Sequence, residues 1–317
     1  MEATCSRLVI GSTGSIGSAI VDELAVRGQR VRALVRDPDK AQRILKHPEN
    51  VEFVVGSVEE PHALGAAFDD VDVFFNCLNL PYPEWNRLPA IHRKILDAAS
   101  DTSARMVFPG NVYIYGHAQS EKVAEDHARN PCSRKGMIRV QLEDMFMESS
   151  RKGEVPTVIV RFPDYYGPNA SSITDGIFRV ALGRGTARWF GDLDVTHEFI
   201  FISDAAKAMI MASERPDAHG QDFNVPGPQP IMVRQWIGLV FKEAGSEPRM
   251  KGTSRLSMRM FGLFNKMARE FAEMQYLTEE PLILDGTKFT KFFGTKYPST
   301  EYAEGIRRTL TWMKGLA

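Results

Sequence analysis

Two stretches of this chain carry residue types that could do chemistry. The first is GSTGSIG, residues 11–17. Glycines there let backbone N–H groups approach a pyrophosphate, and a helix opening at Ser15 adds its positive end. Gly11, Thr13, Gly14, Ser15, Ile16 and Gly17 are the cofactor-binding candidates. Three spaced glycines alone are a weak signal, but at the first strand–helix junction they become a strong one. The second stretch is PCSRKGMIRVQLE, residues 131–143, in which Lys135 and Arg139 lie four apart and share one side of a helix.

The type of cofactor is legible at the end of the second strand. NAD sites usually keep an acidic residue about 20 residues past the glycines, against the ribose hydroxyls. Arg36 stands there, with Asp37 next and Lys40 one turn on. The planar donor fork of arginine matches a phosphate, so NADP is favoured over NAD. The competing reading leaves Arg36 on the surface and gives the ribose to Asp37.

Arginine stays protonated, so Arg139 can anchor ribose or phosphate oxygens but cannot give a proton. Lysine can. A neighbouring cation and partial burial both disfavour a charged ammonium, which would ready Lys135 as a general acid or base. It could also stabilise a developing alkoxide. Glu143, one turn beyond Arg139, is placed to orient the arginine. By residue type alone the Lys135–Arg139 pair is a solvated helix face or an anion clamp.

These residues need a scaffold. RLVIG (7–11), RVRALVR (30–36), VEFVVG (51–56), VDVFFNCL (71–78), RMVFPG (105–110) and TVIVRF (157–162) read as strands. Between them, 15–28, the stretch opening at Asp37-Pro38, 90–100 and 133–150 read as helices. Such alternation predicts an α/β fold, a Rossmann-type doubly wound parallel sheet, with a smaller, mainly helical C-terminal substrate domain. The expected boundaries are 1–165 for the NADP-binding domain, with 198–225 returning to it, and 166–197 plus 226–317 for the substrate-binding cap. The Met/Phe-rich stretch 258–274 reads as core or interface, or as a lid.

Bulk composition excludes several classes. The 317 residues are 43% hydrophobic and 25% charged with a net charge of −1, so no global field favours nucleic acid or membrane. Cys5, Cys77 and Cys132 show no metal or disulfide spacing, which fits a reducing, cytoplasmic setting. His92, His117, His127 and His197 show no metal spacing, and no metal is expected. Neither a signal peptide nor a transmembrane helix is expected.

In order along the chain, these residues resemble the extended short-chain dehydrogenase/reductase family, the NAD(P)-dependent epimerases, dehydratases and reductases. GSTGSIG is similar to the family's TGxxGxxG, and YG at 115–116 to its SSxxVYG. VRFPDYYGPN resembles VLRPxNVYGPG, HEFIFISDAA (197–206) resembles RDFVHVDDVA, and GQDFNVPGP (220–228) resembles GExYNVGG. EGIRRTLTWMKG (304–315) is similar to the closing helix. The resemblance implies that Ser57, Val58, Leu78, Asn79 and Phe162 line the cofactor, and that Tyr115, Tyr165, Tyr166 and His197 face substrate. Relatives often dimerise through the helices at 90–100 and 133–150, which leaves a homodimer open.

The departures fall on the chemistry. The family pattern PxxxYGxxKxxxE laid on 131–143 matches Pro131, Gly136 and Glu143 but puts Lys135 on the tyrosine and Arg139 on the lysine. The resemblance implies a purely cofactor-binding pair as the alternative to a catalytic lysine, and both stay open. Asn111 stands at the family's serine, and Tyr113 and Tyr165 are substitute phenols. His197 replaces an arginine that in relatives often contacts a sugar-nucleotide diphosphate, so a smaller or more apolar substrate is expected. Three functions remain: an NADP-dependent enzyme on a small carbonyl or hydroxyl compound with altered active-site residues, a non-catalytic NADP-binding regulator, and a cofactor-retaining isomerase or lyase.

Overall fold

The computed structural model describes residues 6–170, 172–253 and 266–315. It divides into two compact units. One comprises residues 1–111, 138–161 and 205–223; the other comprises 112–137, 162–204 and 224–317. Against the expected boundaries, 112–137, 162–165, 198–204 and 224–225 pack with the second unit. The turns that leave β-strand ends after 111 and 162 pack with the C-terminal half, and sequence periodicity carries no trace of that.

The first unit is built from β1 (Arg7–Ile10), α1 (Ser15–Val26), β2 (Val31–Val35), α2 (Pro38–Ile44), β3 (Val51–Val55), α3 (Pro61–Phe68), β4 (Val73–Asn76), α4 (Leu88–Ser100) and β5 (Arg105–Asn111). The long helix α5 (Arg134–Arg151) and β6 (Thr157–Phe162) follow. β1 and β6 are buried along their whole length, as apolar strands covered on both faces must be. Ile16, Ile20, Val21 and Leu24 recur at helical spacing and form the buried side of α1. The helix α3 was not signalled by the sequence, being only eight residues long.

The remaining elements are β7 (Asp164–Tyr166), α6 (Asp175–Leu182), β8 (Ala187–Trp189), β9 (Thr196–His197), β10 (Phe199–Phe201), α7 (Ile202–Ser213) and β11 (Asp222–Asn224). After them come β12 (Ile231–Met232), α8 (Val233–Ala244), β13 (Met250–Gly252), α9 (Lys266–Glu273), α10 (Tyr276–Glu279), α11 (Thr287–Phe293) and α12 (Tyr302–Lys314). Residues 258–265 of the Met/Phe-rich stretch lie outside the described residues.

The main sheet has seven strands in the order β11-β6-β5-β4-β1-β2-β3. β5, β4, β1, β2 and β3 run parallel, with Ile10 opposite Leu34 and Asn76. The strand order reverses between β1 and β4, and the carboxyl edge at such a switch point is where this architecture binds ligands. In the second unit Tyr166, Trp189, Phe199, Trp236, Tyr302 and Ile306 anchor a separate aromatic core. Three two-stranded pairs, β7–β10, β9–β12 and β8–β13, border it.

Candidate functional site

The turn after β1 is shaped by its glycines. Gly11 has φ +80°, and a Cβ there would lie 2.7 Å from the Cys77 carbonyl oxygen at the end of β4. A Cβ at Gly17 would lie 2.2 Å from the Gly11 carbonyl oxygen. Only hydrogen atoms fit at either place. Gly14 closes the turn by donating its N–H to Gly11 O at 3.0 Å and is the N-cap of α1. No side chain caps α1, and its first turn carries no acidic residue, so its positive end is left for an anion. Ser12 Oγ is buried without a hydrogen-bond partner among the described residues. These features fit a dinucleotide pyrophosphate. Among the flanking residues, Thr13 and Ser15 are half-buried and Ile16 is buried.

The other cofactor candidates of this unit follow the carboxyl ends of the parallel strands. Arg36 and Lys40 are exposed just past β2. Asp37 accepts from the Lys40 backbone N–H at 2.9 Å and caps α2. Past β3, Ser57 Oγ accepts from the Glu59 N–H at 3.2 Å, and Val58 is buried. Past β4, Leu78 is half-buried and Asn79 exposed; Asn111 ends β5 half-buried. Each of these residues lies at or follows the carboxyl end of a strand of the main sheet, the edge at which this architecture binds ligands.

Arg139, on α5, is 6% exposed and its guanidinium lies over the Trp85 ring at 4.6 Å, with Phe108 at 5.8 Å. Stacking of this kind suits the planar guanidinium and would be lost on a change to lysine. Trp85 is itself held by its indole N–H donating to Leu80 O at 2.8 Å. His92 is fully buried and lies 3.0 Å from the Asn76 side-chain amide. Burial, with the positive charge of Arg139 second, lowers its pKa to about 3, so it is neutral. Glu143, expected to orient Arg139, instead grips Arg161 through Nε at 3.1 Å and Nη2 at 2.7 Å. The reason is positional: β6 brings Arg161 across from α5, a partner that helix spacing could not reveal. Asp222 takes the other side of Arg161 at 2.7 Å.

In the second unit, Lys135 is 0% exposed. Its Nζ donates to Glu270 Oε2 at 2.5 Å, Glu273 Oε2 at 2.6 Å and Glu270 O at 3.2 Å. The expectation of a lysine pressed towards neutrality by a neighbouring cation does not match these surroundings: two carboxylates compensate its charge. Arg134 also donates to both Glu270 oxygens at 3.2 Å. Although burial works the other way, the bonds and charge of Lys135, with Arg134, hold the Glu270 carboxyl below its ordinary range. Glu270 and Glu273 escaped the sequence reading because they lie 135 and 138 residues away from Lys135. Gly136 is required by packing, since a Cβ there would lie 2.5 Å from the Tyr113 carbonyl oxygen.

The aromatic candidates separate. Tyr113 and Tyr165 are half-buried. Tyr115 is fully buried and donates its phenol to Asn224 Oδ1 at 2.9 Å. Tyr166 is a core residue, 0% exposed, its phenol pKa raised by burial. Phe162 is buried beside Tyr165, ring centroids 5.8 Å apart. His197 is buried between Trp189 and Phe199, its Nε2 3.0 Å from Asp164 Oδ2. Tyr115, Tyr166 and His197, which the resemblance turned toward substrate, are thus each tied into the interior of this unit. Asp204, at the start of α7, accepts the Thr300 N–H at 2.6 Å.

Residues 7–226 match the NAD dependent epimerase/dehydratase family. The chain belongs to that family. It is accordingly an NAD(P)-dependent enzyme of the epimerase/dehydratase or reductase type. It is 23% identical over 274 residues to an uncharacterized UDP-glucose epimerase of Bacillus subtilis, covering 79% of this chain and 85% of that one. An NAD(P)H azoreductase of Xenophilus azovorans is 25% identical over 306 residues, covering 94% and 95%. Among solved structures, the UDP-glucose 4-epimerase of Thermotoga maritima with UDP-glucose has a TM-score of 0.79 at 19% identity, covering 98% of this chain and 99% of that one. That likeness shows the fold. Among the described residues no helix is long and apolar enough to cross a membrane.

Proposed function

We propose that this protein is an NADP-dependent oxidoreductase acting on a small carbonyl or hydroxyl compound. The observation that carries the reading is the glycine cradle before an uncapped α1, with exposed Arg36 past β2 while Asp37 spends an oxygen on capping α2. An arginine there suits a ribose phosphate. NADPH, when bound, supplies a hydride, so a carbonyl takes up that hydride and a proton to become an alcohol. Arg139, fixed on Trp85, is the residue we assign to the cofactor ribose. Asn111 is assigned to hydrogen-bond the substrate oxygen, and Tyr113, two residues further along the chain, to give or take its proton. Buried His197, already engaged by Asp164, offers no exposed cation for a sugar-nucleotide diphosphate, which supports a smaller substrate.

Monitoring NADPH oxidation across a panel of aldehydes, ketones, quinones and azo compounds tests the reading. Turnover with one class, abolished by Tyr113→Phe with NADPH affinity kept, is the expected result. Tyr113→Phe at full speed removes that residue from the chemistry. A second reading, a cofactor-retaining isomerase or lyase with no net oxidation of NADPH, draws on the capture of Lys135 by Glu270 and Glu273 at the position of the family's phenol. NADPH binding without oxidation of the cofactor by any member of the panel would select it.

A further inference from the structure

The Lys135 side chain donates to Glu270 Oε2, Glu273 Oε2 and the Glu270 carbonyl, so both carboxylates of α9 are drawn to one nitrogen. Glu273 does a second thing with the same carboxylate: its Oε1 accepts the Lys135 backbone N–H at 3.3 Å. That N–H belongs to the first turn of α5, where helix donors lack partners of their own. Ser133 Oγ accepts the next one, from Gly136, at 3.0 Å. One side chain of α9 therefore finishes the start of α5 and neutralises its lysine together. Glu270 is the fixed half of the arrangement, its carboxylate 9% exposed and gripped by Arg134 as well; Glu273 is the looser half at 25%. Two cations face two carboxylates.

We propose that Lys135 is a positioning residue: with Glu270 and Glu273 it clasps α9 to the start of α5, and it does not exchange a proton with substrate. The proposal rests on the reductase reading only in taking α5 as the active-site helix. The tyrosine of the family's pattern has become a fastening, which keeps α9, the described part of the Met/Phe-rich stretch, in register with the residues that precede α5.

The test pairs backbone hydrogen exchange of residues 266–273 with turnover in the full-length protein. Lys135→Met and Glu273→Gln are each expected to speed exchange of α9 amides about tenfold or more, while amides of β1 and β2 are unchanged. Lys135→Arg keeps a cation with several donors but cannot give up its proton. It is expected to restore both α9 protection and turnover relative to Lys135→Met. Unchanged α9 exchange in Lys135→Met and Glu273→Gln overturns the clasp. So does a Lys135→Arg protein with α9 protected and turnover lost, because that is the mark of a proton-transferring amine. The exchange measurement needs no substrate, so it decides the clasp even where NADPH binding fails and the reductase reading falls.

Discussion

Glu143 and Arg161 form a buried ion pair, side chains 1% and 3% exposed, that crosses over Gly110 of β5. A Cβ at 110 would lie 2.6 Å from Arg161 Cγ and 3.0 Å from Glu143 Oε1, so the glycine makes room for the pair. Removing Glu143 leaves the buried Arg161 charge leaning on the quarter-exposed Asp222, and breaking a buried pair costs up to about 3–5 kcal/mol. Glu143→Ala is expected to lose that much in urea unfolding. Asp222, the quarter-exposed second partner of Arg161, is worth far less: Asp222→Asn is expected to cost about 1 kcal/mol or under.

The glycine turn makes a sharper prediction about ligand than about stability. At Gly17 a methyl would have to push into the Gly11 carbonyl oxygen, 2.2 Å away, and would shift the turn proposed to hold the cofactor phosphates. Gly17→Ala is expected to weaken NADPH binding by about tenfold or more, some 1.4 kcal/mol. Isothermal titration measures it, with circular dichroism confirming that the fold survives. Binding at the native affinity would mean the cofactor does not use this turn.

The proposed preference for NADP over NAD rests on Arg36. A charge-assisted bond to a phosphate contributes about 1.5–3 kcal/mol, or roughly 10- to 150-fold in affinity. Arg36→Ala is expected to lose NADPH affinity by that factor and leave NADH binding unchanged. Equal loss for both cofactors would give the ribose to Asp37 in place of the phosphate to Arg36.

Two buried groups give stability opposite slopes with pH. His92 is neutral in the folded chain, its pKa lowered from 6.5 to about 3 by burial and by Arg139. Between those values the unfolded chain binds a proton that the folded chain does not, so stability falls as pH drops below 6.5. From pH 6.5 to 5 the loss from this site approaches about 2 kcal/mol, and His92→Leu should remove it from the profile. Glu198 is the reverse case. Burial, against an N–H donated by Leu284 at 3.1 Å, raises its pKa from 4.5 to about 8. The folded chain then holds the extra proton, and stability falls as pH rises from 4.5 to 8. Glu198→Gln is expected to flatten that limb in urea melts taken across the range.

The sheet and the glycine turn were legible because they depend on local patterns: β6 is a run of apolar and β-branched residues, and the glycine turn stands between a strand and a helix pattern. The partners of the charged residues were not. Glu143 was assigned by helix spacing to Arg139, and the actual partner, Arg161, sits on a neighbouring strand 18 residues away. Lys135 was assigned an environment from its near neighbours in sequence, whereas Glu270 and Glu273 reach it from another element. Tyr166 and His197 carried polar atoms suited to substrate, but their ring faces are what the second unit uses.

The reach of Glu273 back to the first turn of α5 has a consequence during synthesis. The two residues are 138 positions apart. At roughly 5–20 residues per second on the ribosome, the start of α5 would emerge about 7 to 28 seconds before the carboxylate that finishes it. For that interval the Lys135 ammonium has neither glutamate, and burying it would be costly. The start of α5 therefore waits, solvated, and closes only when α9 arrives, which makes the maturation of this helix an event set by the last sixth of the chain.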